Sequence, residues 1–109
     1  MPRDALGEFE HLILLAILRL GENAYGVPVI EELESRTGRS ASQAAVYLTL
    51  KRLEKKGLIS SRLCAPTPER GGRAKRFFSL NPEAKERLRE TRAALVSMWD
   101  GVEPELDRP

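Results

Sequence analysis

The sequence is poor in the residue types that most catalytic and metal-binding chemistry needs. It has one cysteine, Cys64, and one histidine, His11. A single cysteine excludes an internal disulfide framework and a thiolate zinc centre. His11 lies inside an apolar run with no cluster of carboxylates on a defined scaffold, so no metal and no cofactor is expected. The same scarcity leaves Ser-His-Asp or Cys-His machinery without a solvent-reachable base. No Gly-rich phosphate loop joins a strand to a helix, and an enzyme is the weakest of the functional classes. Long apolar runs are missing too. The longest, Leu12 to Leu18, falls well short of the ~18–20 residues of a bilayer span. The first residues, Met-Pro-Arg-Asp-Ala-Leu-Gly, carry no signal-peptide pattern. Together with the lone cysteine, this makes a cytoplasmic location the expectation. Nor is there a large excess of either charge. Lys+Arg is 18 against 16 Asp+Glu, a net charge of +2, so any case for nucleic acid depends on where the charges sit.

What is present is a chain of 109 residues, 41% hydrophobic and 31% charged, enough for one modest core. Residues 8–20 contain no Gly or Pro and are apolar on nearly every face in the middle. They read as a helix that is central in the core or shared with a partner, closed by Gly21. Residues 25–37 read as a second helix with Pro28 in its first turn, Val27, Ile30 and Leu33 as its buried stripe, and Gly38 at its end. Residues 41–56 read as a third, opened by Ser40 and Gln43 as a capping box. Val46, Leu50 and Leu53 share its inner face, Lys51 and Lys55 lie roughly opposite, and Gly57 ends it.

The periodicity then changes from helical to alternating. Leu58 to Leu63 and Ala74 to Leu80 read as two strands. The stretch between them holds two prolines and Gly71-Gly72, so it reads as a loop or hairpin tip. Asn81-Pro82-Glu83 opens a last helix to about Asp100, with Asn as N-cap and Pro at the first helical position. The charges of residues 85–92 read as a solvated face, and the acidic tail from Gly101 is expected to fray. The fold class is therefore mainly α with a small two-stranded hairpin: a winged helix-turn-helix over residues 1–80, followed by a C-terminal helix and tail over 81–109.

That order gives each part a physical role. A helix with its side chains is ~10–12 Å across and fits a major groove about 12 Å wide. The N-terminal end of the third helix offers Ser40, Ser42, Gln43 and Tyr47, followed by Lys51. Gln can bond adenine bidentately, while Tyr and Lys suit phosphate. Tyr47 lies about 100° from Val46, at the edge of the buried stripe, and can serve the core, the DNA or both. The hairpin adds Arg70, Arg73, Lys75 and Arg76 against the single Glu69, a local basic cluster that the net charge conceals. Its glycines allow close approach to a sugar-phosphate chain, and an arginine at the tip can enter a minor groove.

Three segments carry a family resemblance. They are Ala24-Tyr25-Gly26, the run from Ala44 to Ile59 with Tyr47 in it, and Gly71-Gly72-Arg73-Ala74-Lys75-Arg76-Phe77-Phe78-Ser79-Leu80. In this order they resemble the PadR family of transcriptional regulators over roughly residues 5–100. The resemblance implies a homodimeric winged-helix protein, usually a repressor, bound to a near-palindromic operator in double-stranded DNA. It also implies dimerisation through the C-terminal helix. Carried over, Leu88, Leu95, Val96 and Trp99, with Phe9 and Leu12 of the first helix, are the dimer contacts. In some short relatives an aromatic on that helix stacks on flat hydrophobic compounds, so a small hydrophobic effector at Trp99 is a candidate ligand. Trp99 as plain interface core is the simpler reading. Phe77-Phe78 stands where many relatives carry a Tyr-Tyr pair, and Leu48 sits on the face turned to DNA. The rival reading is a winged helix that binds protein and lacks specific DNA affinity. His11 reads as a partly buried helix residue near the dimer surface, and Cys64 as strand filler.

Overall fold

A computed structural model describes residues 6–65 and 74–108. Helix α1 spans Glu8–Leu20 and ends in a single 3-10 turn, Gly21–Asn23. Helix α2 spans Gly26–Thr37 and α3 Gln43–Lys55. Strands β1 (Ile59–Cys64) and β2 (Lys75–Leu80) form one antiparallel pair, with Ile59 opposite Leu80 and Cys64 opposite Lys75. Helix α4 spans Pro82–Trp99 and a short α5 spans Glu103–Leu106. No helix among the described residues is long and apolar enough to cross a membrane.

Of the two sequence readings of α1, the central one holds. Ile13, Leu14 and Ile17 are fully buried, and α1 packs against α2, α3, β2 and α4. Val29 and Leu33 of α2, Val46, Leu50 and Leu53 of α3, Leu58, Ile59 and Phe78 around the sheet, and Ala84 and Leu88 of α4 complete the core. The wide apolar surface of α1 is thus needed because four elements converge on it.

Several local expectations need correction. Val27 is not in the buried stripe of α2; it is exposed, and Val29 takes its place beside Leu33. The pair at i and i+4 shares one face, and Val27 is turned about 200° from Val29. The cap of α3 is Ser42, not the Ser40–Gln43 box. Ser42 has extended backbone and its Oγ accepts from the Ala45 N–H at 2.9 Å. The Glu34 carboxylate accepts from the Ala41 N–H at 3.0 Å and holds that residue in the turn, so the helix begins two residues later. Asn81 is the N-cap residue of α4, but its side chain caps nothing there. Its Nδ2 donates to the Gly57 carbonyl at 2.9 Å, and its Oδ1 accepts from Ser60 Oγ at 2.7 Å. It therefore ties the α3–β1 turn to the start of α4. The tail does not simply fray: Glu103 and Glu105 stand in the first turn of α5 with Pro104, where acids suit the helix dipole and a missing N–H costs little.

One buried acid locks α3 to α1. Glu10 is 8% exposed. Its carboxylate accepts from the Gly7 N–H at 3.0 Å and from Lys56 Nζ at 3.0 Å, with Arg52 Nε at 3.4 Å. Burial alone would raise this carboxyl. The Gly7 N–H, the Lys56 hydrogen bond and the charges of Lys56 and Arg52 together outweigh burial and hold it below its ordinary value. A carboxylate with a depressed folded pKa contributes stability that is present above the unfolded value, about 4.3, and is lost as pH falls through the folded one. Glu10→Gln is therefore expected to cost about 1.5–3 kcal/mol near pH 7, the worth of hydrogen bonds to charged groups. The cost should sit towards the low end, because Arg52 is half in water. Thermal melts at pH 7 and pH 3.5 check this. The gap between parent and variant should narrow at the lower pH, and a gap independent of pH would exclude the ion pair as its source.

Candidate nucleic-acid interface

Helix α3 buries Val46, Thr49, Leu50 and Leu53. Residues at i, i+4, i+7 and i+11 then form a ridge on the opposite side: Ala44, Leu48, Lys51 and Lys55, all exposed. Of the residues expected to meet DNA, Gln43, Tyr47 and Lys51 are exposed on α3 on or beside this ridge, and Ser40 is exposed in the turn before the helix. Ser42 is exposed as well, but its hydroxyl is engaged in capping. Lys55 continues the ridge and was not among the expected contacts. The i+4 spacing from Lys51 was the available signal.

Between α3 and the wing runs a cleft lined by Tyr25 and Gly26 from the start of α2, Gln43, Tyr47, Lys51 and Glu54 from α3, and Lys75 and Arg76 from β2. Tyr47 is 40% exposed and lies across Gly26. A Cβ added there would fall on the Tyr47 hydroxyl and 2.7 Å from two ring carbons. Gly26 is thus the absence of a side chain that lets the tyrosine cross the α2 N-terminus. Tyr47 thus has a foot in the scaffold and a face in the cleft.

The wing is tied to the same place. The Phe78 N–H donates to the Ala24 carbonyl at 2.8 Å, and Tyr25 forms an isolated bridge with Phe77. The Tyr25 and Phe77 rings meet at 5.2 Å and 59°. Lys75 Nζ stands 5.2 Å from the Tyr25 ring centre and the Arg62 guanidinium 5.6 Å from that of Phe77, within the range of cation–π attraction. Arg76 donates from Nη1 to Ser61 Oγ at 3.0 Å, and Ser61 donates to Glu54 Oε2 at 2.8 Å. Ser61, Arg62 and Glu54 were not among the expected contacts: Ser61 and Arg62 come with β1, opposite β2 in the hairpin, while only tertiary packing brings Glu54 and Tyr25 to the wing. Arg70 and Arg73 lie outside the described residues.

The residues expected at a dimer contact divide into two groups. Leu88 is buried in the chain's own core, and Phe9 and Leu12 are half-buried against it. Leu95, Val96 and Trp99 are 51%, 62% and 48% exposed on the second half of α4, beside Met98 at 78%. His11 lines the hollow between α1 and α4. Its Nδ1 is buried with no partner among the described residues, and burial pushes the imidazole below its ordinary pKa. Cys64 is half-buried at the end of β1, with Arg62 Nη1 at 3.0 Å from Sγ. No group of metal-ligating side chains occurs among the described residues.

The comparisons with known proteins agree with this geometry. Residues 14–90 match the profile of the transcriptional regulator PadR-like family. No curated protein sequence matches the chain. Among solved structures, a PadR-like transcriptional regulator from Bacillus cereus is similar at 23% identity, over 93% of each chain, with a TM-score of 0.74. A PadR family transcriptional regulator from Eggerthella lenta is similar at 26% identity over 94% of this chain and 88% of that one, with a TM-score of 0.69. Bacillus subtilis PadR, solved in complex with operator DNA, is similar at 25% identity over 75% of this chain and 46% of that one, with a TM-score of 0.63. With a helix-turn-helix, a wing rooted on it and a family match that spans most of the core, the chain belongs to the PadR-like family of transcriptional regulators.

Proposed function

We propose that this regulator binds double-stranded operator DNA as a homodimer and represses transcription by occupying a promoter. The observation that carries the reading is the exposed α3 ridge, with Gln43 and Tyr47 at its wing-side edge and Lys75 and Arg76 across the cleft. The Bacillus subtilis relative, solved with operator DNA, supports the same use of the fold. Residues 1–80 would form the DNA-binding head and residues 81–109 the dimerising arm, with Leu95, Val96 and Trp99 as the apolar contact. Two α3 helices would enter successive major grooves about 34–36 Å apart, on a near-palindromic site. A small hydrophobic effector would find its place in the hollow lined by His11, Leu95, Val96 and Trp99, and would act only through its difference in affinity for the two states. The site of action would be the cytoplasm, and no catalytic step is part of the reading.

Selection of bound duplexes from a random pool, with the purified full chain, tests this. The expected product is a near-palindrome whose affinity falls steeply with salt. Gln43→Ala should change the preferred base at one position of each half-site by about 1–3 kcal/mol. An unchanged sequence preference would remove Gln43 from the readout. Failure to enrich any duplex, with affinity insensitive to salt, would favour a protein-binding winged helix instead.

A further inference from the structure

Glu54 is an acid in an unfavourable place. It stands in the last turn of α3, where the helix dipole favours cations. It also lines the cleft between α3 and the wing, where phosphate would approach. Its partner explains it: the Glu54 carboxylate accepts from Ser61 Oγ, which in turn accepts from Arg76. The strand register makes the last link possible. Ser61 pairs with Phe78, and Arg76 lies two residues along on the same face, a diagonal that a long side chain can span. A hydroxyl has one proton to give. With that proton directed at Glu54, the oxygen lone pairs are left for the guanidinium.

We propose that Glu54 and Ser61 are positioning residues that hold the Arg76 guanidinium at the cleft, so that the acid strengthens operator binding instead of opposing it. This rests on the reading of the cleft as a DNA interface. Freed of Ser61, Arg76 would have to be ordered by the DNA itself, at the entropic cost of a long, flexible side chain. Fixed in advance, it meets phosphate or base edge with that cost already met by the fold. The same logic covers Lys75, held over the Tyr25 ring, but the Arg76 relay gives a change of opposite sign to what simple charge counting expects.

The test is a set of titrations of the full chain with its selected operator duplex at several salt concentrations. Arg76→Ala should weaken binding about tenfold or more and flatten the salt slope by about 0.9. Ser61→Ala leaves both charges in place and should weaken binding about three- to tenfold, while Ser61→Thr, which keeps the hydroxyl, should restore it. Glu54→Ala, which removes the acceptor of the Ser61 proton, should also weaken binding, although it removes a negative charge from the interface. On the Arg76→Ala background, neither Ser61→Ala nor Glu54→Ala should cost anything further. Tighter binding by Glu54→Ala, or a neutral Ser61→Ala beside an impaired Arg76→Ala, overturns the relay and leaves the interface standing. Losses that persist on the Arg76→Ala background mark damage to the scaffold and overturn it too. A neutral Arg76→Ala overturns the relay together with the assignment of Arg76 to DNA.

Discussion

Val96→Asp is expected to give a folded monomer whose operator affinity is about 10²–10⁴-fold below that of the parent. The magnitude is that of losing the second, intramolecular binding event when two linked heads become one. Val96 is suited to the test because it is 62% exposed on α4 and makes no part of the core. An aspartate there meets water in the isolated chain and is buried only if another copy covers Leu95, Val96 and Trp99. Burying an unpaired carboxylate is strongly unfavourable, so the change should act on association and spare the fold. Leu88, by contrast, is 6% exposed in the core, and its substitution would confuse the two effects. Sedimentation and melting of Val96→Asp, followed by duplex titration, give the answer. A variant that stays dimeric removes this face from the interface. A monomer with parental affinity removes the need for a dimer.

Gly26→Ala should separate the position of Tyr47 from the stability of the fold. The added methyl would occupy the space of the Tyr47 hydroxyl and of two ring carbons. Those atoms are the far end of a side chain with one face in solvent, so the ring can swing away without opening the core. The cost in stability should be at or below the ~1–3 kcal/mol typical of overpacking. Operator affinity should fall as far as it does in Tyr47→Ala, and the double variant should bind no worse than either single one. Such non-additivity is the signature of two residues acting through one position. Full additivity would mean that Gly26 and Tyr47 matter for separate reasons.

How much of this could be read from the chain alone follows from the range of each interaction. The helices, the two strands and the order of the winged fold are local matters: apolar periodicity, Gly21, Gly38 and Gly57 as stops, and Pro82 as a start. The outward placement of Gln43, Tyr47 and Lys51 follows from the helical repeat once Val46, Leu50 and Leu53 are taken as the inner face. The Ser40–Gln43 pattern points to a capping box because such a box is a strong local signal. The Glu34 contact to the Ala41 N–H that shifts the helix start comes from the previous helix. Val27 is misplaced because steps of three drift by about 60° each, so Val27 lies about 120° round the helix from Leu33, whereas Val29, four residues before Leu33, stays within about 40° of it. Tyr47 on Gly26, Tyr25 on Phe77, Lys56 on Glu10 and Arg76 on Ser61 had no local signature. Each joins residues from different elements, and each depends on how the helices and wing pack. The exposed side chains of the α3 ridge were therefore largely legible, while the contacts that hold them in place were not.

The central claim is that the α3 ridge and the wing root form the surface that meets the duplex. Backbone chemical-shift mapping of the labelled full chain, titrated with its selected operator, tests it most directly. The account expects the largest changes at Gln43, Ala44, Tyr47, Leu48, Lys51 and Lys55, and at Lys75 and Arg76, with Leu95, Val96 and Trp99 little affected. Changes concentrated on α4 and the outer side of α1, with the α3 ridge silent, would contradict it.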